Sequence, residues 1–294
     1  MAYAISFVKS ASQRIGEVEG HTFDPMFGMV HVDEKWSNDD TKKRVYYLLP
    51  DEEPPVRHLH TARFREKTML LVAVARPNLF NVMRTFDDKL GLWPFLEEYV
   101  MQRASKNRTK GVILERKIEP VKREFYKPLL LTYVFPSIKE KWPVGEMMRP
   151  AFIQQDNATP HVLVSDPDIV HAGTEGNWNF RLVCQPARTP DFIILDLGYF
   201  AAIQSLQYEQ NVFTSEMFIK AVAQSFKDFD SNKLDIIFLT LQQVMECVLI
   251  CKGRNDYKLP HMTKGKHRRA CKLPKFWICA SKTYDEAAKL ILSF

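Results

Sequence analysis

The chain has 294 residues, 46% hydrophobic and 26% charged, a soluble profile long enough for a sizeable core in one large or two ordinary domains. No stretch approaches the ~20 apolar residues of a membrane span, the start MAYAISFVKSASQ is too short and too polar for a signal peptide, and the five cysteines show no paired framework, which fits a reducing compartment. The net charge of +6 is uneven: Lys252 to Lys275 holds nine Lys and Arg against Asp256 alone, leaving the rest of the chain mildly acidic, as a polyanion-binding region or a solvated surface run would.

In chain order, the opening residues, with Ile5, Phe7 and Val8, read as a helix and linker over 1–25. GMVHVDEKW (28–36) reads as a strand ending on Asp33, and KRVYYLLP (43–50) as a second β-rich run stopped by Pro50. Pro54-Pro55 marks 51–67 as a loop. TMLLVAVARP (68–77) is nearly continuous apolar, the pattern of a central strand buried on both faces, so the early strands are expected as a meander. Residues 78–127 form an insertion with a turn in FDDKLGLWPF and a basic loop at 102–111. PLLLTYVFPSIKEKW (128–142) has helical spacing, with Pro136 expected to kink or shorten it.

AFIQQDN supplies a fourth strand and FRLVCQP (180–186) a fifth. DLGYFAAIQSLQ (196–207) is a helix that opens on an acid, which suits its positive end. Two longer helices follow, SEMFIKAVAQSFKDF and KLDIIFLTLQQVMECVLICKG (233–253), with a last one in YDEAAKLILSF. This order makes a mixed α/β sheet flanked by helices and fits a ribonuclease-H-like fold, with its core at 26–213 and a mostly helical, basic C-terminal region at 214–294.

Three acids share a placement: Asp33 and Asp156 end strands, and Asp196 opens the helix after the fifth strand. Singly, each has an ordinary reading, as a partner for Lys35, the start of an Asx turn and a first-turn acid. Together, with the first and fourth strands side by side, they bring like charges into one place, which makes sense around divalent cations. Hard oxygen donors select Mg²⁺ or Mn²⁺, and two such ions serve attack on a phosphodiester.

The words VHVDEKW, IQQDNATPH and TPDFIILDLGYFAAIQSLQ closely resemble the catalytic blocks of mariner-like DDE/D transposases, especially the plant and oomycete branch, and 39 residues separate Asp156 from Asp196, the interval of that branch. LTLQQVMECV and GRNDYKLPHM are similar to it as well. The resemblance implies a transposase that cleaves transposon ends and joins them to target DNA, with Asp33, Asp156 and Asp196 holding two Mg²⁺ or Mn²⁺ ions. Water or a DNA 3′-hydroxyl attacks, with no covalent protein–DNA intermediate. It places Asn157 and His161 as groups that orient Asp156 or contact DNA, although turn chemistry also accounts for them. It makes 51–67 a loop reaching a second copy in a homodimer, and the nucleus the site of action.

The third block departs from the family pattern in Thr189, Phe192 and Ile193, leaving Asp196 in place and Asp191 outside the ligand set. Only 32 residues precede Asp33, where the family carries helix-turn-helix segments, so a core without its recognition region is expected. Two other readings stay open: a relic or co-opted module that binds DNA or dimerises without catalysis, and a ribonuclease-H-like nuclease. Arg103, Lys106, Arg108 and Lys110, with Lys264, Lys266, Arg268 and Arg269, are candidates for tracking phosphates. Cys251, His261, His267, Cys271 and Cys279 lack the close pairs of a structural zinc site, and no glycine-rich phosphate loop or small-molecule site stands out.

Overall fold

The computed structural model describes residues 1–15, 18–38, 48–53, 67–77, 88–104, 109–143, 146, 148–210, 215–258 and 274–293. The helix expected at the start is short. Helix α1 (Ala2–Ser6) gives way to β1 (Val8–Ile15), which pairs antiparallel with β2 (Val18–Phe23). Lys9, Ser10, Ala11 and Ser12 are all exposed, so no apolar alternation announces this strand.

Strands β3 (Met29–Asn38), β4 (Lys67–Ala75) and β5 (Lys89–Pro94) form an antiparallel meander, but its third strand is 89–94 and not the run at 43–50. Nor does β3 end on Asp33, since its polar second half goes on pairing with β4 as far as Asn38. The β-rich run at 43–50 lies outside the described residues up to 47, and 48–50 are not strand. Loop 51–67 is described only at 51–53 and at Lys67, which opens β4. Within the insertion, β6 (Leu96–Val100) and β7 (Ile113–Lys117) form a separate two-stranded hairpin.

Helix α2 (Arg123–Leu129) continues through a π turn at Leu130–Val134 into α3 (Phe135–Lys141). Pro136 was expected to kink or shorten this segment. It falls in the first turn of α3, directly after the π turn, where a missing N–H is tolerated, and that helix is a short one ending at Lys141.

Next come β8 (Ala151–Gln155), α4 (Pro167–Thr174), β9 (Phe180–Cys184), a π turn at Leu195–Tyr199 and α5 (Phe200–Gln207). Helices α6 (Ser215–Asp228) and α7 (Ser231–Ile250), strand β10 (Ile278–Ala280) and α8 (Ser281–Leu292) complete the chain. Strand β10 pairs with β2, so the two ends of the chain share a three-stranded sheet. No described helix is long and apolar enough to cross a membrane.

The main sheet runs β5-β4-β3-β8-β9, with β8 and β9 parallel to β3. Strand β4 shows why it sits near the centre. Leu70, Val72 and Val74 join one buried cluster, Leu71, Ala73 and Ala75 the other, so both faces are covered. The first cluster includes α7 through Leu234, Phe238, Leu241 and Met245, so the C-terminal helices share the core of the sheet. The second is closed by α2, α3 and α4, through Tyr126, Ile138 and Ile169.

A buried ion pair fixes α7 to the sheet. Arg76, one residue beyond β4, meets Asp235 at 2.7 Å with both side chains at most 1% exposed, and its Nη1 donates to the Pro25 carbonyl at 2.6 Å. Asp235→Ala strands a guanidinium in the interior and is expected to cost about 3–5 kcal/mol in a urea titration. Arg76→Met/Asp235→Leu, which removes both charges, should recover most of that loss. A cost under ~1 kcal/mol for Asp235→Ala contradicts this role for the pair.

Candidate active site

The register of two parallel strands brings the first two acids together. Met29, Val30 and His31 of β3 lie opposite Phe152, Ile153 and Gln154 of β8. Two residues further on stand Asp33, on the face of β3 that carries Met29, and Asp156, just past the end of β8. The third acid arrives from the helical side. Ile193, Ile194 and Leu195 are buried in the first cluster and anchor the turn in which Asp196 emerges, exposed. The Phe192 carbonyl accepts from Gln154 Nε2 at 2.9 Å, tying that turn back to β8. Such π turns recur at functional sites because one extra residue re-aims a side chain.

The three carboxylates act on one another. Asp33 is 7% exposed; burial, then the charges of Asp196, Glu34 and Asp156, push its carboxyl up to about 8, against one opposing hydrogen bond from the Glu34 N–H. Asp196 is also raised, by burial and by Asp156, with Lys35 pulling the other way.

Asp156 is instead lowered, first by its hydrogen bond with His161 and then by the Ala158 N–H, against partial burial. His161 Nδ1 lies 2.7 Å from Asp156 Oδ1 and 3.1 Å from the Asp156 carbonyl. Its Nε2 reaches Glu34 at 2.8 Å. Burial opposes a charge on this ring, but the hydrogen bonds from Asp156 and Glu34 outweigh it and push the imidazole up to about 10.

The turn around His161 is clamped as well. Tyr126 stacks on the ring with centroids 4.4 Å apart, Arg123 donates to the carbonyls of Thr159 and His161, and Gln155 donates to that of Val162. Asn157 donates to the Gln185 carbonyl at 2.5 Å and so joins the ends of β8 and β9. Asp191 accepts from the Tyr257 hydroxyl at 2.9 Å.

Glu34 is the site residue that sequence reasoning did not single out, and Lys35 was read only as a partner for Asp33. Neighbours along a strand point to opposite faces, so Glu34 meets His161 on the far side of β3 while Lys35 acts on Asp196. The adjacent pair of acids in VDE was the available signal. Among the basic candidates, Arg103 and Lys110 are exposed near the β6–β7 hairpin. Lys106, Arg108, Lys264, Lys266, Arg268 and Arg269 lie outside the described residues.

The donor chemistry suits a hard divalent cation: three carboxylates, one of them buried against like charge, leave a negative excess that a cation relieves. Among the described residues no three His, Cys, Asp or Glu side chains stand in a metal-holding group, and Asp156 is turned to His161.

The strand order and flanking helices define a ribonuclease-H-like fold. Within that class, the chain is similar to the Mos1 mariner paired-end complex with Mn (TM-score 0.52, 18% identity over 79% of this chain and 57% of that one). It is similar also to a pre-cleavage Mos1 transpososome (0.53, 18%, 80% and 58%) and to the Mos1 strand transfer complex (0.51, 19%, 80% and 57%). The chain therefore spans under three-fifths of those proteins, and at this identity the likeness is one of fold. No family model and no curated protein matches it.

The raised pKa of Asp33 sets a sign. A carboxyl lifted from 3.8 to about 8 stabilises the fold when protonated, and that stability is lost as pH rises from 4 to 8. Asp33→Asn, a neutral mimic, should gain on the metal-free wild type by about 1.4 kcal/mol per pH unit across that window. Denaturant midpoints measured at each pH check this, and a gap that does not vary with pH contradicts it.

Proposed function

We propose that the chain is the catalytic core of a mariner-like DDE/D transposase of the plant and oomycete branch, a DNA endonuclease and strand-transfer enzyme. The observation that carries this reading is the mutual charge of Asp33 within β3, Asp156 just past β8 and Asp196 in the turn before α5. The catalytic-block wording, the 39-residue interval and a fold shared with Mos1 paired-end and strand transfer complexes support it.

In this reading Asp33, Asp156 and Asp196 hold two Mg²⁺ or Mn²⁺ ions; the similar Mos1 paired-end complexes include one with Mn and one with Mg. When bound, such ions supply an activated oxygen nucleophile and stabilise the leaving oxygen of the phosphodiester. The protein residues keep that pocket in shape. His161 restrains one oxygen of Asp156, Asn157 joins β8 to β9, and Lys35 offsets charge at Asp196. Water serves as nucleophile for end cleavage and a DNA 3′-hydroxyl for joining. The partners are transposon ends and target DNA, met by exposed basic residues such as Arg103 and Lys110, together with a second copy of the chain through 51–67. Such an enzyme works in the nucleus.

With Mg²⁺ or Mn²⁺ the chain should nick or join DNA carrying its element ends. Asn at 33, 156 or 196 is expected to lower that rate by about 10³-fold or more with circular dichroism unchanged. Nicking that is unaffected in all three variants contradicts the assignment.

A further inference from the structure

We propose that Glu34 is a positioning residue for Asp156, acting through His161, and that this link sets the affinity of the site for its divalent cations. The proposal rests on the metal-site reading above. The backbone ladder between β3 and β8 ends at His31 opposite Gln154, so no main-chain hydrogen bond of that ladder holds Asp33 and Asp156 together further on. A side-chain link closes this gap. Glu34, on β3, places both carboxylate oxygens 2.8–2.9 Å from His161 Nε2, and His161 Nδ1 lies 2.7 Å from Asp156 Oδ1.

The link is built to be rigid. The side chains of His161 and Glu34 are 3% and 10% exposed, the ring is stacked on Tyr126, and Arg123 and Gln155 hold the backbone on both sides of the turn. A turn alone needs only the Ala158 N–H on Asp156. A nearly buried acid–imidazole pair reaching across 127 residues costs desolvation that turn formation does not require. Its geometric consequence is at Asp156: Oδ1 takes Ala158 N–H and His161 Nδ1, which leaves Oδ2 as the oxygen for a cation.

The test measures Mn²⁺ affinity calorimetrically on the full chain, beside the metal dependence of DNA nicking. Glu34→Gln is expected to weaken Mn²⁺ binding about 10–100-fold with unchanged circular dichroism, and saturating Mn²⁺ should restore much of the nicking rate. The effect should vanish in an Asp156→Asn background, because it passes through that residue. If Glu34→Gln does not fold, Glu34→Asp, which keeps the charge and shortens the reach, replaces it, with a loss of about tenfold expected. Wild-type affinity in the Glu34 variant, with affinity lost in Asp156→Asn, overturns the proposal and leaves the metal site standing. Wild-type affinity in Asp33→Asn and Asp156→Asn overturns the metal site itself, and the proposal with it.

Discussion

Like charge contributed from the middle of β3, from just past the end of β8 and from the turn before α5 is the constraint around which this molecule is arranged. Asp33 and Asp156 come from neighbouring chain segments because β3 and β8 run parallel in register, and Asp196 is presented by a helix turn anchored in the core. Left uncompensated, that arrangement costs the fold energy: the Asp33 carboxyl resists ionisation because it is buried and because acids surround it. An arrangement with such a cost makes physical sense where something cationic completes it.

The scaffold meets this cost with rigidity. Strands β3 and β4 are sealed on both faces, so the ends of β3 and β8 cannot drift without disturbing two cores. Arg76 and Asp235 fasten α7 to the sheet, and Gln154 fastens the turn that bears Asp196. His161 meanwhile gives Asp156 a counter-charge within the protein, so this acid is the one held low while Asp33 and Asp196 are raised. The site is asymmetric: one carboxylate is restrained by protein donors and two press on each other.

Much of this was legible in the sequence where apolar runs end on acids. VHVDEKW, TMLLVAVARP, AFIQQDN and FRLVCQP each gave a strand of the main sheet, because burial on one or both faces writes itself as composition. Strands β1, β2 and β10 were not legible. Their pairing joins the two ends of the chain, and β1 carries exposed polar residues where apolar alternation was sought. The π turn ahead of Pro136 was not legible either, because it leaves no trace in hydrophobic spacing. Glu34 was hidden for a different reason: its partner lies far along the chain, and the alternation that aims Asp33 at the site aims Glu34 away from it.

The central claim is that these three aspartates together hold divalent cations, and anomalous diffraction from crystals soaked in Mn²⁺ tests it most directly. The account predicts two manganese peaks about 3.5–4 Å apart, bounded by the carboxylates of Asp33, Asp156 and Asp196. Manganese bound elsewhere, with those three side chains left free of it, would contradict the account.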